Sequence, residues 1–434
     1  MEQLLAMAKK AAEEAEVYRV SSEETHVRFE ANRLKQLHTG QQTSIALRII
    51  KNGRTGYATT TSVEDRRELV DNAVETSEFG TAARFQFPES ADYPRVDIFD
   101  PAVGSVSTRE MIELGEEMIA AVTGHTKGII CEAGVSRGVI TVRIINSRGG
   151  QAEYRKSFFS LDIEGNLIEE TDMLFVGDSE SSCHPLTDPG DVTGLVLKQL
   201  ELAKNRAAAP TRRLPVIFTP NGIASSLIMP LLSAFNGKVV LEGASPIGNK
   251  RGKVVFDKKL DLRDDPTVDY RPGSRPCDDE GVPSQSNHLI TRGKVNGFLY
   301  DLQTAALAGT QSTGNGSRAR GGQPAPSAST LIIPAGDTSF EDMVADIKEG
   351  LVVEQLMGAE QGNVLGGDFS GNVLLGYKVE NGRIAGRVKD TMVSGNIYQA
   401  LKDIAAIGSE PRWLGGFLQT PHIYLPSMSV SSKG

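Results

Sequence analysis

Lys51-Asn52-Gly53-Arg54, set between the β-prone runs at residues 43–50 and 55–60, restricts the fold more than any other feature. Asn-Gly accepts the positive φ that a two-residue hairpin needs at both central positions, so the flanking runs are expected to pair antiparallel. Further β-prone runs lie at residues 16–20, 26–31, 129–135, 139–147 and 153–164, with Ser147-Arg148-Gly149-Gly150 as a second hairpin turn. Between them the period changes. Leu4, Leu5, Ala8, Ala11, Ala12 and Ala15 form one stripe at helical spacing over residues 3–15. Ser62-Val63-Glu64-Asp65 has the form of an N-cap with an acidic first turn, opening a helix to about residue 78. Residues 108–122 form another helix, and Asp188-Pro189-Gly190-Asp191 starts one that runs to about residue 206. Helices packed on antiparallel strands make the first half α+β.

A chain of 434 residues is too long for one typical core. Ala207-Ala208-Ala209-Pro210-Thr211-Arg212-Arg213-Leu214-Pro215 reads as a linker, which gives an N-terminal α+β domain at 1–209 and a C-terminal domain at 210–434. The second half is glycine-rich and is expected to be mostly antiparallel β with a few helices. One helix is expected at residues 339–350, with Ser339 as N-cap and Val344, Ile347 and Leu351 on its buried side; another spans about 397–405. Residues 352–356 and 374–379 read as core strands. Residues 309–329 are dense in Gly, Ser, Thr, Ala and Pro, too poor in apolar surface to order unaided. Two readings stay open for them: a mobile loop, or a loop that orders on a substrate or partner, with Asn315, Arg318 and Arg320 as the contact candidates.

Composition excludes several functions. Net charge is −9 and no long basic run occurs, which disfavours nucleic-acid binding. The N-terminus lacks the pattern of a signal peptide and no window reaches eighteen apolar residues, so a cytoplasmic protein with no membrane partner is expected. Three cysteines, far apart and odd in number, argue against a disulfide framework. None of the six histidines forms a close pair. Asp278-Asp279-Glu280, followed by Gly-Val-Pro, reads as a turn rather than a cation site. Ser226 and Ser233 have no histidine near in sequence and no Gly-x-Ser-x-Gly elbow surrounds them. Gly314-Asn315-Gly316 lacks the lysine of a phosphate-binding loop.

Several segments of the second half resemble the TldD/PmbA family, also called the modulator-of-gyrase peptidases. They are Cys277-Asp278-Asp279-Glu280-Gly281-Val282-Pro283, Asn296-Gly297-Phe298-Leu299-Tyr300-Asp301, and Ser312-Thr313-Gly314-Asn315-Gly316-Ser317-Arg318. Farther on come Gly350-Leu351-Val352-Val353-Glu354-Gln355-Leu356-Met357-Gly358, Gly367-Asp368-Phe369-Ser370-Gly371, Val379-Glu380-Asn381-Gly382-Arg383-Ile384 and Val393-Ser394-Gly395-Asn396-Ile397. The resemblance implies a helix that, in the catalytic branch, carries His-Glu-x-x-x-His and binds zinc with a cysteine near the C-terminus. Here the equivalent stretch runs from a strand at Val216-Ile217-Phe218, through Thr219-Pro220-Asn221-Gly222, into a helix. Anchored on Pro220 and Gly237, the histidine positions fall on Ile228 and Ser233 and the glutamate position on Met229. The cysteine position, around residues 412–420, has no thiol, and Pro230 either breaks the helix or marks its start. Trp413, the only tryptophan, is expected in the core, at an interface, or in space left by the metal.

The family's non-metal branch, TldE or PmbA, pairs with the metal-bearing TldD to cut peptides or unfolded polypeptides. The resemblance therefore implies no catalytic residue and no cofactor in this chain, with zinc held only by a TldD-like partner. The competing expectation is a stand-alone homodimer that binds peptides without cutting them.

Overall fold

The computed structural model describes residues 1–62, 66–170, 172–318 and 322–433. The first half contains α1 (Glu2–Ala11), β1 (Glu14–Glu30), β2 (Arg33–Lys51), β3 (Arg54–Thr60), α2 (Arg66–Ser77), α3 (Ala102–Ser105), α4 (Thr108–His125), β4 (Ile130–Asn146), β5 (Gln151–Glu169), β6 (Asp172–Ser182) and α5 (Gly190–Leu202). Its strands form one antiparallel sheet in the order β3-β2-β1-β4-β5-β6. Asn52 and Gly53, at φ 51° and 69°, make the expected tight hairpin, with Lys51 opposite Arg54. Alternation sends Val17, Leu47 and Ile49 under α1 and α2, and Val27, Phe29, Leu161 and Ile163 under α4 and α5. At Gly115 of α4 a Cβ would lie 2.1 Å from the Phe29 ring, so glycine lets helix and sheet close up. The other sheet face turns Glu16 and Tyr18 toward the second half of the chain.

Several boundaries differ from the sequence reading. The first helix stops at Ala11, and Ala15 is buried in β1. β1, β2 and β4 run unbroken through polar stretches that looked like gaps, because cross-strand hydroxyl pairs such as Ser21–Thr43 (3.0 Å) and Thr25–Thr39 (3.1 Å) supply the local contacts. β6, built from Asp, Ser and Gly as well as apolar residues, has little intrinsic strand signal, yet it pairs with β5 along its whole length. Of the N-cap and acidic first turn expected at residues 62–65, residues 63–65 lie outside the described residues. α5 ends four residues short of the expected point at 206.

The second half contains β7 (Arg212–Phe218), α6 (Pro220–Ala224), α7 (Ile228–Phe235), α8 (Gly237–Leu241), β8 (Leu262–Asp264), β9 (Asn287–Thr291), β10 (Lys294–Val295), α9 (Leu302–Leu307), β11 (Gly316–Ser317) and β12 (Ala325–Pro326). There follow β13 (Leu331–Ile332), α10 (Phe340–Asp346), β14 (Glu349–Met357), β15 (Asp368–Glu380), β16 (Arg383–Arg387), β17 (Thr391–Asn396), α11 (Ile397–Ala400), β18 (Ala406–Ile407), β19 (Arg412–Leu414), β20 (Leu418–Thr420) and β21 (Ile423–Ser432). The order β14-β7-β21-β17-β15 closes on itself, because β14 also pairs with β15. A second, smaller sheet runs β10-β9-β8-β13-β20-β19. The whole is α+β, as expected.

The presumed linker is partly strand: Arg212 to Pro215 lie in β7, between β14 and β21 of the closed sheet. Pro215 is tolerated there because it sits opposite the slip in register between Leu425 and Met428 of β21. The helix expected at 339–350 ends at Asp346, and Gly350 and Leu351 belong to β14. A Cβ on Gly350 would lie 2.6 Å from the Pro215 carbonyl, so β14 and β7 pack too closely there for another residue. The helix expected at 397–405 is a single turn. One apolar cluster joins Phe159, Leu161 and Ile163 of the first half to Ile217, Val352, Leu375 and Tyr377 of the second, so the halves meet across packed core.

Candidate functional site: the α6–α7 stretch and the charged knot beside it

β7 delivers the chain to Thr219, whose hydroxyl caps α6 by accepting from the Gly222 N–H (3.3 Å) and donates to Glu354 Oε2 (2.9 Å). Pro220 occupies the first helical position, where its missing N–H costs nothing, so the expected Pro-Asn-Gly turn is a one-turn helix. Gly222 is required, because a Cβ would lie 2.3 Å from the Val353 carbonyl. Ser226 donates to the Gly222 carbonyl (2.5 Å) and Ser225 accepts from the Leu356 N–H (3.2 Å). Both hydroxyls serve the backbone and neither has a basic partner to activate it.

In α7, Ile228, Leu231, Ala234 and Phe235 enter the main core, and Ile228 is only 2% exposed. Met229 points outward at 51% exposure, and Ser233 is half-buried. Pro230 is the third residue of α7, so it marks a helix start rather than a break. Two apolar side chains and one hydroxyl are not a donor set for zinc. Among the described residues no group of three or more His, Cys, Asp or Glu side chains is placed to hold a metal ion. Trp413 is half-buried, with the Arg271 guanidinium over its ring at 4.5 Å.

Beside α6 lies a cleft of about 540 Å³ between β6, α6 and β14. Phe175 to Ser179 of β6 line it, and among the described residues β6 pairs only with β5, so one strand edge borders the cleft. Its walls are acidic. Burial raises the Asp178 carboxyl, and Arg412 at 2.7 Å opposes that. Burial likewise raises Glu354, against the Thr219 hydroxyl. A strand edge with carboxylates nearby can hold an extended, cationic peptide through main-chain hydrogen bonds.

The loop candidates lie elsewhere. Asn315 is fully buried: its Nδ2 donates to Asp264 Oδ2 (2.6 Å) and the Ser327 carbonyl (3.0 Å), and its Oδ1 accepts from Asn287 (3.0 Å). Arg318 pairs with Glu16, donates from Nε to the Asp279 carbonyl (3.0 Å), and lies over the Tyr18 ring at 5.1 Å. Arg320 lies outside the described residues. The described parts of the segment are held by these polar contacts and the β11–β12 pair.

Arg318 belongs to a knot that the sequence did not reveal. Arg48 of β2 binds Glu16 of β1 (3.2 Å) and Glu280 (2.6 Å), and it sits between the Phe85 and Phe87 rings at 4.9 Å each. Asp278 accepts backbone N–H groups from Glu280, Val282 and Gly316 at 2.8–2.9 Å. Burial and the neighbouring Glu280 push the Asp278 carboxyl up to about 7. Burial also raises Glu16, opposed by Arg48 and Arg318. The Asp278-Asp279-Glu280 turn exists, with Gly281 N–H on the Asp278 carbonyl (3.1 Å), but it is buried against the first sheet. The sequence signal was that run of acids with Arg275 just before it, which pairs with Asp279 at 3.5 Å; its other cations lie 230 residues away on β2 and 38 or more residues later in the chain.

Comparison with known proteins places this architecture. Residues 211–432 match the PmbA/TldA metallopeptidase C-terminal domain, 15–77 its domain 1, and 101–197 its central domain. An uncharacterized protein of Methanocaldococcus jannaschii is 26% identical over 93% of both chains. The metalloprotease PmbA of Escherichia coli is 28% identical, over 79% of this chain and 74% of its own. The crystal structure of TldE from Thermococcus kodakarensis superposes with a TM-score of 0.90 over 100% of both chains at 23% identity, a likeness of fold.

Proposed function

This chain belongs to the PmbA/TldA metallopeptidase family, and on that premise we propose that it is a TldE/PmbA-like subunit of a two-part peptidase, itself without zinc. The observation that carries this reading is the surface of α7. Where the family resemblance puts His-Glu-x-x-x-His, the chain has Ile228 in the core, Met229 in solvent and a half-buried Ser233. None can ligate zinc or act as a base on a water molecule. A TldD-like companion would supply both. This chain would supply the wall against which an extended peptide lies, with main-chain groups of β6 as the holding groups and the acidic lining of the cleft favouring a cationic peptide.

Purification of the chain from its native source tests the subunit role. A companion bearing His-Glu-x-x-x-His in one-to-one ratio is expected, with chelator-sensitive peptidase activity in the pair and none in this chain alone. Recovery of this chain with no such companion contradicts the reading. The stand-alone homodimer that binds peptides is the second reading, and one observation favours it: β2 carries a long strand edge with no partner on one side among the described residues.

A further inference from the structure

A cleft of about 570 Å³ opens beside the knot, with β3 and the segment 81–85 on one side and α8, α9 and the segment 323–326 on the other. That volume lies within the range of small-molecule sites. Gln303 joins the two walls: its Oε1 accepts from the Arg84 N–H (3.0 Å) and its Nε2 donates to the Ala82 carbonyl (3.0 Å). Much of the lining is apolar. Leu241 and Leu307 are 40% and 53% exposed in it, and Phe85 and Pro326 also line it. A single exposed leucine is ordinary, but two in one concave site offer a surface that an apolar ligand can cover. Asp301 is the buried polar group. It is 4% exposed, and its two hydrogen bonds, from the Thr304 N–H (2.8 Å) and the Thr304 hydroxyl (2.5 Å), both fall on Oδ1. Oδ2 has no partner among the described residues and is open to the cleft. Burial, then the neighbouring Glu280, raises the Asp301 carboxyl, so a cation at Oδ2 would relieve both. Lys238 and Arg84 stand exposed on the same lining, and neither side chain has an ion pair or hydrogen bond among the described residues. With the exposed Glu242 the rim still carries net positive charge.

We propose that this cleft binds a small zwitterion with an apolar side chain, a free amino acid or a dipeptide. Its ammonium sits on Asp301 Oδ2, its carboxylate turns to Lys238 and Arg84, and its side chain covers Leu241 and Leu307. The mixture of charges selects this class. A plain anion meets the Asp301 carboxylate, and a plain cation meets Lys238 and Arg84; a zwitterion places each charge on its opposite. The ammonium also gives a buried carboxylate oxygen the charge-assisted hydrogen bond it lacks. Arg48 lines the cleft too, but its charge is taken up by Glu16 and Glu280, so it does not compete for the carboxylate. The cleft does not rest on the subunit role, since copurification tests that role and ligand binding by the purified chain tests the cleft.

Isothermal titration calorimetry on the full purified chain reads the outcome. Leucine and leucyl-leucine are the probes; binding of either supports the site, and the tighter of the two identifies the source. N-acetyl-leucine lacks the ammonium and leucinamide lacks the carboxylate, and each is expected to bind about tenfold more weakly than leucine. Glycine, which has no side chain to cover the leucines, is expected to bind weakly as well. Asp301→Asn keeps a residue that can cap α9 but removes the charge, and it should weaken leucine about tenfold with the melting temperature almost unchanged. Failure of both probes to bind at millimolar concentration overturns the proposal. So does N-acetyl-leucine binding as tightly as leucine, or an Asp301→Asn chain that binds leucine as the wild type does. Should Asp301→Asn fail to fold, Lys238→Glu, at an exposed position, decides: weaker leucine binding with leucinamide unaffected is expected, and unchanged leucine binding overturns the site.

Discussion

The α7 helix and the Glu16–Arg48–Glu280–Arg318 knot are a contrast in where polarity has gone. α7 occupies the place that the family resemblance gives to a metal and its base, yet it is packed with Ile228, Leu231 and Phe235. The knot lies among turns and strand ends, where a solvated surface would be ordinary, yet its side chains are 0–6% exposed. The difference shows that buried charge at this knot marks architecture. The knot joins β1 and β2 of the first sheet to the 278–318 region, so its charges fix how the two halves meet.

The largest effect should come from cutting that knot. Arg318→Ala leaves Glu16 buried with one cation fewer and is expected to cost about 3–5 kcal/mol in urea denaturation. Adding Glu16→Gln should recover part of the loss, because the orphaned charge goes too. A cost below about 1 kcal/mol would mean that water reaches the knot and the contrast fails.

His422 should sharpen the comparison through pH. Burial, then the nearby Lys198 and Arg412, lowers its imidazole to about 4. A base depressed in the folded state contributes stability that is present above its unfolded pKa of about 6.5 and is lost as pH falls toward 4. That loss should approach about 3 kcal/mol, read as the change in unfolding free energy between those limits. In His422→Asn this segment of the pH profile should flatten.

Within α7 the effects should be smaller and of the kind that packing gives. Ile228→Val should cost about 1 kcal/mol in thermal denaturation, the value for a lost core methylene. Met229→Ala, at an exposed position, should stay within about 0.5 kcal/mol. A large loss at Met229 with little at Ile228 would reverse the assignment of inner and outer faces.

The hairpin at Asn52-Gly53, the first helix and the α+β class were legible because each rests on local chemistry: a turn that needs positive φ, a stripe at helical spacing, and helices that alternate with β-prone runs. β6 and the true length of β1 were not, because Ser, Asp and Glu in them are stabilised by strands distant in sequence. The Ser339 cap was legible, but the end of its helix was not, because Gly350 answers to Pro215 across the fold. At the candidate site, the register puts Ile228, Met229 and Ser233 on one short helix, and α7 carries all three. Arg318 could be singled out but not its role, since its partner Glu16 lies 302 residues earlier. Long-range ion pairing leaves no periodic trace in a single sequence.

The central claim is that α7 has given up metal chemistry. Metal analysis of the purified chain after incubation with excess zinc and gel filtration, with peptidase assays before and after a chelator, tests it most directly. The expected result is zinc well below one per chain, the same in Met229→Ala and Ser233→Ala, and no peptide cleavage. One zinc per chain that Ser233→Ala releases, with cleavage that the chelator abolishes, would contradict it.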